Sequence, residues 1–393
     1  MVDIEDDDVV IIYGCGIAGR WASHQLPKVI GFVDSDRKKW GKIFNGIPVY
    51  PPSFFDDMDI SKVVVVISSV DIFDVIPSLN KKNITRWHAL AKILNLDDDL
   101  INNTGESDSF LRYSLTTMKN CHEAFLSKES LFIRSVDLVI TEKCTLRCKD
   151  CANLMQFFEK PRDIELNQII PGIQRLAEKC DFINEVRVIG GEPFVNKEIY
   201  SVLRELLLID NIGSIVIYSN GMIPPKPDYL ELYRNPKVHF SITDYGSLGK
   251  NTAKTVSFLQ SNDISFRVHP PENWTDSGRI EYQRHTVPEL KKTFEDCCGK
   301  NLFTLVESRL YRCPFAANAD SLGAIPADNQ NFVEVGASTE SIRRYTREIE
   351  FLPACNFCPG RSFDAPEIIP ALQVKGPIKY EKISGGLEEN GES

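Results

Sequence analysis

The sequence predicts an α/β protein: a small parallel sheet at the amino end, then an open partial (β/α)6-type barrel, and finally a small cysteine-rich region. Three observations carry this. Short β-branched runs alternate with helix-length amphipathic stretches, the pattern of parallel strands joined by helical crossovers. A glycine-rich turn, GCGIAGR, follows the first of those runs. Eight of the 11 cysteines fall into two groups, at 144–151 and at 297–358.

With 393 residues the chain has room for two or three domains. Its net charge of −10 argues against non-specific binding to nucleic acid, whose phosphates need clustered Lys and Arg. The Met1–Asp8 start, MVDIEDDD, is acidic and has no apolar stretch, so no signal or transit peptide is expected. No apolar run approaches the ~18–20 residues of a membrane span. The expected location is therefore cytoplasmic. In reducing cytosol, clustered cysteines bind metal more often than they cross-link.

Val9–Gly14 (VVIIYG) reads as a buried strand. Gly14, Gly16 and Gly19 then give GxGxxG spacing and open a helix to about Leu26, before Pro27. Val29–Val33 is the second strand, closed by Asp34, which stands 20 residues after Gly14. Strand, glycines, helix and acid form the setting of a dinucleotide fingerprint. Pyrophosphate would sit at the helix amino end, with Arg20 as a phosphate partner. Asp34 would accept from a ribose hydroxyl, and Cys15 reads as a small packing residue. A strand at Val63–Ile67, a helix over about Asp71–Lys82 and a strand within Ile84–Leu90 complete a Rossmann-like domain over residues 1–97. The polar stretch Asp97–Ser109 marks a boundary. Residues 98–130 form a linker, with a helix at Phe110–Phe125 expected to lie on the next domain.

Alternation resumes over residues 131–288. Strands are predicted at Val136–Ile140, Glu185–Ile189, Ser214–Tyr218, Val238–Ile242 and Ile264–His269. Helices are predicted at Asn167–Cys180, Ile199–Leu208 and Lys250–Asn262. The pattern becomes irregular over 289–365, and residues 366–393 read as a tail, disordered from Ser384.

The first predicted barrel strand runs into ITEKCTLRCKDCANLM, which spaces Cys144, Cys148 and Cys151 as CxxxCxxC. Structural zinc would need a fourth ligand. No Cys or His follows before Cys180, itself on a predicted helix. A [4Fe–4S] cluster normally takes four thiolates, so three leave one iron open. This loop strongly resembles that of the radical S-adenosylmethionine (SAM) superfamily. The resemblance implies that the open iron takes the amino and carboxylate groups of SAM, and that one electron passed into the sulfonium breaks a C–S bond. It also implies that the resulting 5′-deoxyadenosyl radical abstracts hydrogen from substrate. The family usually places an aromatic residue just before the third cysteine; here it is Asp150, as in polysaccharide-associated members with similar polar residues. About forty residues on, Gly190–Gly191–Glu192–Pro193 ends a predicted strand as GGEP does in this superfamily. The glycines let backbone approach a ligand closely, and Glu192 can accept from the methionyl ammonium. Ser219–Asn220–Gly221, at the next strand end, stands where the family often contacts the SAM ribose, and is otherwise an ordinary strand-end turn.

Cys355 and Cys358 form a CxxC, Cys313 lies in LYRCPF, and Cys297–Cys298 precede it. This region resembles the auxiliary-cluster segment of SPASM/twitch radical SAM enzymes, with Ser308 where a glycine is usual. Cys297 or Cys298, with Cys313, Cys355 and Cys358, would close one second [4Fe–4S] cluster. Zinc in a four-cysteine knuckle has the same ligand count. Too few cysteines remain for two auxiliary clusters, which predicts the shorter twitch arrangement.

The amino-terminal stretch also resembles the sugar-nucleotide or CoA-binding-like Rossmann domain of polysaccharide-biosynthesis proteins. That favours a nucleotide-sugar there, or a non-binding docking domain, over NAD. The candidates for acid–base work are Asp244, Tyr245, Arg267 and His269, at or near predicted strand ends; Trp274 could line the cavity. The expected function is a radical SAM oxidoreductase-type enzyme that abstracts hydrogen from a sugar or nucleotide-sugar in cell-surface polysaccharide metabolism. Oxidation, epimerisation or rearrangement would follow, with flavodoxin or ferredoxin as reductant. Two alternatives stand beside it: a radical SAM peptide maturase, and a non-enzymatic iron–sulfur or zinc module for redox sensing or scaffolding.

Overall fold

In the first sheet, runs of valine and isoleucine are buried on both faces, and two different helical layers account for it. The computed structural model describes residues 5, 7–93, 101–127, 130–270, 272–362 and 365–382. The chain divides into two units, Met1–Ser130 and Leu131–Ser393. The tail expected from Ser384 lies outside the described residues.

In the first unit the strands are β1 (Val9–Tyr13), β2 (Val29–Val33), β3 (Ile43–Phe44), β4 (Ile47–Tyr50), β5 (Val63–Ile67) and β6 (Trp87–Ala89). The helices are α1 (Ile17–Ala22), α2 (Ile72–Lys81), α3 (Leu90–Ile93) and α4 (Asp108–Leu126). The sheet order is β3-β4-β2-β1-β5-β6. All its pairings are parallel except β3 with β4. Side chains alternate across the sheet. Val10, Ile12, Phe32 and Val66 pack with Trp21 of α1 and with Leu111, Leu115 and Met118 of α4. Ile11, Tyr13, Val65 and Ile67 pack with Ile72, Val75, Ile76 and Leu79 of α2. The helix expected to lie on the following domain is therefore a layer of this one. Its apolar residues at i, i+4 and i+7 cover the β1 face, and each fully buried aliphatic side chain contributes roughly 1.5–3 kcal/mol.

In the second unit the strands are β7 (Phe132–Ile133), β8 (Val136–Thr141), β9 (Phe182–Gly190), β10 (Ile212–Ser219), β11 (Val238–Thr243), β12 (Phe266–His269), β13 (Trp274–Thr275), β14 (Phe303–Val306), β15 (Arg309–Tyr311), β16 (Phe332–Glu334) and β17 (Glu367–Ile368). Its helices are α5 (Leu166–Lys179), α6 (Ile199–Leu207), α7 (Leu230–Tyr233), α8 (Thr252–Ser261), α9 (Val287–Asp296), α10 (Pro314–Ser321) and α11 (Thr339–Arg347). β8 to β12 form a parallel run in chain order, the arc of an open barrel. A further parallel strand, β14, joins on the other side of β8. β15 and β16 then extend the sheet antiparallel. The cysteine-rich region thus adds strands to the barrel sheet.

Val136, Leu138 and Ile140 of β8 belong to a core shared with α5 and α6. On the other face of β8, Asp137 stands opposite Arg187 of β9. A separate apolar core joins Leu154 and Phe157, just past the three-cysteine loop, to Phe294, Tyr311, Phe315 and Phe357 of the cysteine-rich region.

Residues 366–382, expected as part of a tail, are threaded into this unit as far as they are described. β17 pairs antiparallel with β13. Beyond it the chain runs along the three-cysteine loop: Lys149 N donates to Leu372 O at 2.7 Å, and Val374 N to Arg147 O at 2.9 Å.

Candidate functional site

The three-cysteine loop leaves β8 at Thr141 and returns at Asp163. There the Asp163 carboxylate accepts from the Thr141 hydroxyl and the Lys143 ammonium, both at 2.7 Å. The end of β9 is pressed against this root. A Cβ on Gly190, whose φ is +149°, would stand 2.1 Å from Thr141 O, and one on Gly191 would stand 2.0 Å from Lys143 O. No other residue fits at these two positions. The close approach expected of the glycine pair is made here to the loop's own backbone, with Gly191 N on Thr141 O at 2.9 Å and Glu192 N on Lys143 O at 2.8 Å.

Glu192 is wholly buried. It accepts from the Ser219 hydroxyl and Asn220 N, both at 2.9 Å, and from Phe194 N at 3.3 Å. Burial pushes its carboxyl up to about 7, against the pull of those donors. Neither Glu192 nor Pro193 lines the cavity described below. In this structure the Glu192 carboxylate ties the end of β9 to the end of β10. Asn220, so placed, donates to Thr145 Oγ1 at 2.9 Å and reaches Cys144 Sγ at 3.8 Å.

Cys144, Cys148 and Cys151 all line one cavity of about 370 Å³ at the carboxyl ends of β8–β11. Its wall also includes Gly190, Gly191, Ser219 and Asn220. Each thiol has donors aimed at its sulfur. Leu146 N–H serves Cys144, and the N–H groups of Met155, Asn153 and Leu154 serve Cys151. Gln373 Nε2 reaches Cys148 Sγ at 3.3 Å. Burial pushes Cys144 up to about 12 and Cys148 up to about 11. Among the described residues, no three His, Cys, Asp or Glu side chains converge as they would on a single metal ion. What the loop provides is three sulfurs around a shared space, with backbone donors placed to stabilise thiolates.

The late cysteines form a second group. Cys297 caps the end of α9, Cys313 caps the start of α10, and Cys355 and Cys358 lie in and just past a 3-10 turn. Burial pushes Cys313 up to about 11 and Cys355 up to about 12, and the neighbouring thiols add to it. Cys358 is raised by burial and then by Cys313, Cys297 and Cys355. Gly299 N donates to Cys297 Sγ at 3.3 Å, and Ala316 N to Cys313 Sγ at 3.4 Å. Cys298 is exposed. Of the two adjacent cysteines, then, the structure groups Cys297 with the other three. At the β14–β15 turn the left-handed residue is Glu307, with φ +53°, and not Ser308. Gly172 in α5 makes room for that turn, since a Cβ there would stand 1.8 Å from Glu307 O.

The sequence profile of the radical SAM superfamily matches residues 138–248. This part of the chain is a radical SAM domain. The family uses a [4Fe–4S] cluster and SAM. A GTP 3′,8-cyclase of Limosilactobacillus fermentum is 30% identical over 167 residues, covering 38% of this chain and 50% of that protein. One from Clostridium acetobutylicum is 32% identical over 97 residues, covering 24% and 30%. The chain thus spans half or less of the length of these curated relatives. Among solved structures, BtrN in complex with AdoMet and 2-DOIA is 14% identical with a TM-score of 0.38, covering 58% of this chain and 93% of that one.

Of the four acid–base candidates, one stands on the cavity wall. Tyr245 lines it, edge-on to Trp274 with ring centroids 6.0 Å apart. Burial raises its hydroxyl well above the usual range, and the nearby cysteines add to this. Asp244 caps its own turn, accepting from Gly246 N at 2.9 Å. His269 Nε2 meets Ser241 Oγ at 3.0 Å between β11 and β12, and Arg267 is half-buried on β12. None of these three lines the cavity.

Sequence reasoning missed a charged group inside the barrel. Arg187 Nε stands 2.6 Å from Asp137 Oδ1 and 3.7 Å from Glu185 Oε1, and its guanidinium lies 5.8 Å from the Tyr218 ring centre. Burial pushes Asp137 up to about 6. The signal was available: Glu185 and Arg187 stand two apart in an otherwise apolar strand, so they share a face.

In the amino-terminal unit, Gly14 has φ +110°, and a Cβ on Gly19 would stand 2.0 Å from Gly14 O. These glycines let α1 close onto the end of β1, while Gly16 has open space around it. Asp34, expected as a ribose acceptor, is buried and already engaged. It accepts from Cys15 N at 2.7 Å, Asp36 N at 2.8 Å and Lys39 Nζ at 2.9 Å. Arg20 stands 3.6 Å from a Glu106 carboxylate oxygen. Cys15 is buried, which pushes its thiol up to about 12 and suits a packing role.

Proposed function

We propose that the chain is a radical SAM enzyme that removes a hydrogen atom from a sugar or nucleotide-sugar in cell-surface polysaccharide metabolism. A [4Fe–4S] cluster would be held by Cys144, Cys148 and Cys151, and a second by Cys297, Cys313, Cys355 and Cys358. The observation that carries this reading is the set of three sulfurs lining one cavity with the Gly190–Gly191 and Ser219–Asn220 strand ends. When bound, cluster and SAM together supply a one-electron, hydrogen-abstracting chemistry. The chain's own residues do the rest. Gly190 and Gly191 hold the root of the cysteine loop, Glu192 locks the two strand ends, and Asn220 steadies Cys144. Tyr245 and Trp274 wall the cavity and keep water from the reacting carbon. A ferredoxin- or flavodoxin-type protein would deliver electrons. The sugar reading leans on the resemblance of the amino-terminal stretch to polysaccharide-biosynthesis domains. With Asp34 engaged internally, a docking role for that unit gains weight over nucleotide binding.

A second reading places a purine nucleotide in the cavity, because relatives matching this part of the chain are named GTP 3′,8-cyclases. One experiment separates them. Anaerobically reconstituted protein is incubated with SAM, dithionite and a panel of nucleotide-sugars and GTP, and 5′-deoxyadenosine is followed. Stimulation by one class, with deuterium transfer from labelled substrate, selects it; no SAM cleavage under any condition overturns both.

A further inference from the structure

Arg361, three residues past the last cysteine, is the one cationic side chain among the described residues that line the cavity. Its Nε is cut off from solvent and has no hydrogen-bond partner. Among the described residues no carboxylate forms an ion pair with it. Asp150, on the same cavity wall, is the one carboxylate there and does not pair with it. The buried Nε is not the atom a ligand would meet; the side chain as a whole is half-buried on the cavity wall with no acceptor for its charge among the described residues, so an anion entering the cavity finds that charge unclaimed. The backbone at this point is fixed. Arg361 O accepts from Cys298 N at 2.9 Å, and Ser362 bridges to Cys297. The guanidinium is also near enough to Cys297 for its charge to favour that thiolate. Arg361 therefore belongs to the cavity of the first thiol group while standing beside the second. The remaining polar wall, including Asn153, Tyr218, Asn273, Thr275 and Ser277, is neutral and suited to hydroxyl groups.

We propose that Arg361 is the anion-recognition residue of the substrate site: the substrate carries a carboxylate or phosphate that this guanidinium receives, with hydroxyls facing the neutral wall. Arg matches either group through paired N–H donors. The proposal rests on reading the cavity as the substrate site of a radical SAM enzyme.

The test uses the full chain, reconstituted anaerobically with iron and sulfide, with SAM present. Calorimetric titration compares glucose 1-phosphate with glucose, and glucuronate with glucose; the two arms distinguish phosphate from carboxylate. One charged probe is expected to bind about tenfold or more tighter than glucose. Arg361→Met should abolish the difference and Arg361→Lys should keep part of it, with iron content and SAM affinity unchanged in both. The proposal falls if charged and neutral probes bind alike, if none binds at millimolar concentration, or if the preference survives in Arg361→Met. It also falls if Arg361→Met lowers SAM affinity or late-cysteine iron and leaves the preference intact, because the charge then serves SAM or those thiolates. Failure of the radical SAM reading shows separately, as absence of SAM cleavage under dithionite, and the binding comparison stays readable.

Discussion

Glu192 is a carboxylate with three protein donors and no exposure to solvent. Its folded value of about 7 lies above the 4.5 of an unperturbed glutamate. The folded state therefore binds its proton more tightly. The corresponding stability is complete below pH 4.5 and is lost as pH rises through about 7. Glu192→Gln is expected to flatten that slope in the metal-free protein. It should also leave one donor without an acceptor and cost about 1–3 kcal/mol. Urea titrations at roughly pH 5 and roughly pH 8 check both effects. A second expectation concerns the adjacent cysteines. In a Cys144/Cys148/Cys151→Ala background, Cys297→Ser should lower bound iron and sulfide, while Cys298→Ser should leave them unchanged, as read by elemental analysis. Spacing made the first three cysteines legible, because their ligand pattern is local. Spacing could not separate Cys297 from Cys298, because the choice depends on which one faces residues from a distant loop. It also identified Glu192 without its partners, which arrive from the next strand.

The stretch from β17 to Tyr380 works as a strap on the cysteine loop. Gln373 Oε1 accepts from Arg147 N at 2.8 Å, while its Nε2 reaches Cys148 Sγ at 3.3 Å and Ala371 O at 2.7 Å. Tyr380 adds an edge-on contact with Phe157 and a hydrogen bond to Leu322 O at 2.9 Å. An N–H donor to a ligating sulfur favours the reduced cluster. Gln373→Ala is therefore expected to shift the midpoint potential of the loop's cluster negative by about 20–40 mV, the equivalent of a hydrogen bond of ~0.5–1 kcal/mol in a one-electron couple. Redox titration followed by electron paramagnetic resonance checks this, and Gln373→Glu, which loses the donor and adds a negative charge beside the sulfur, should shift the potential further in the same direction than the alanine variant does. The strap was invisible in the sequence because residues 366–382 carry neither helical nor strand periodicity, and they gain structure only from the loop they border. By contrast β1, β5 and β8 were legible from their apolar runs, since strands buried on both faces need nothing else. The position of β14 was not legible: local pattern marks a strand without saying which edge it joins.

Both thiol groups, the cavity and the strap lie within Leu131–Ser393. Residues 131–393 produced without the first unit are therefore expected to bind iron and SAM at unchanged stoichiometry, measured by iron analysis and equilibrium dialysis. Loss of both would place part of the site in the first 130 residues. Among the described residues no helix is long and apolar enough to cross a membrane. The position of β14 has a consequence for how long the site survives. In an open arc the leading strand would be a margin, free to peel and to recruit stray chains. Here β8 is hemmed in by β9 and β14, so fraying is displaced outward to β12 and β16. The cysteine loop hangs from one of the most sheltered amides in the molecule, and deuterium uptake along Val136–Ile140 should be among the slowest anywhere in the chain.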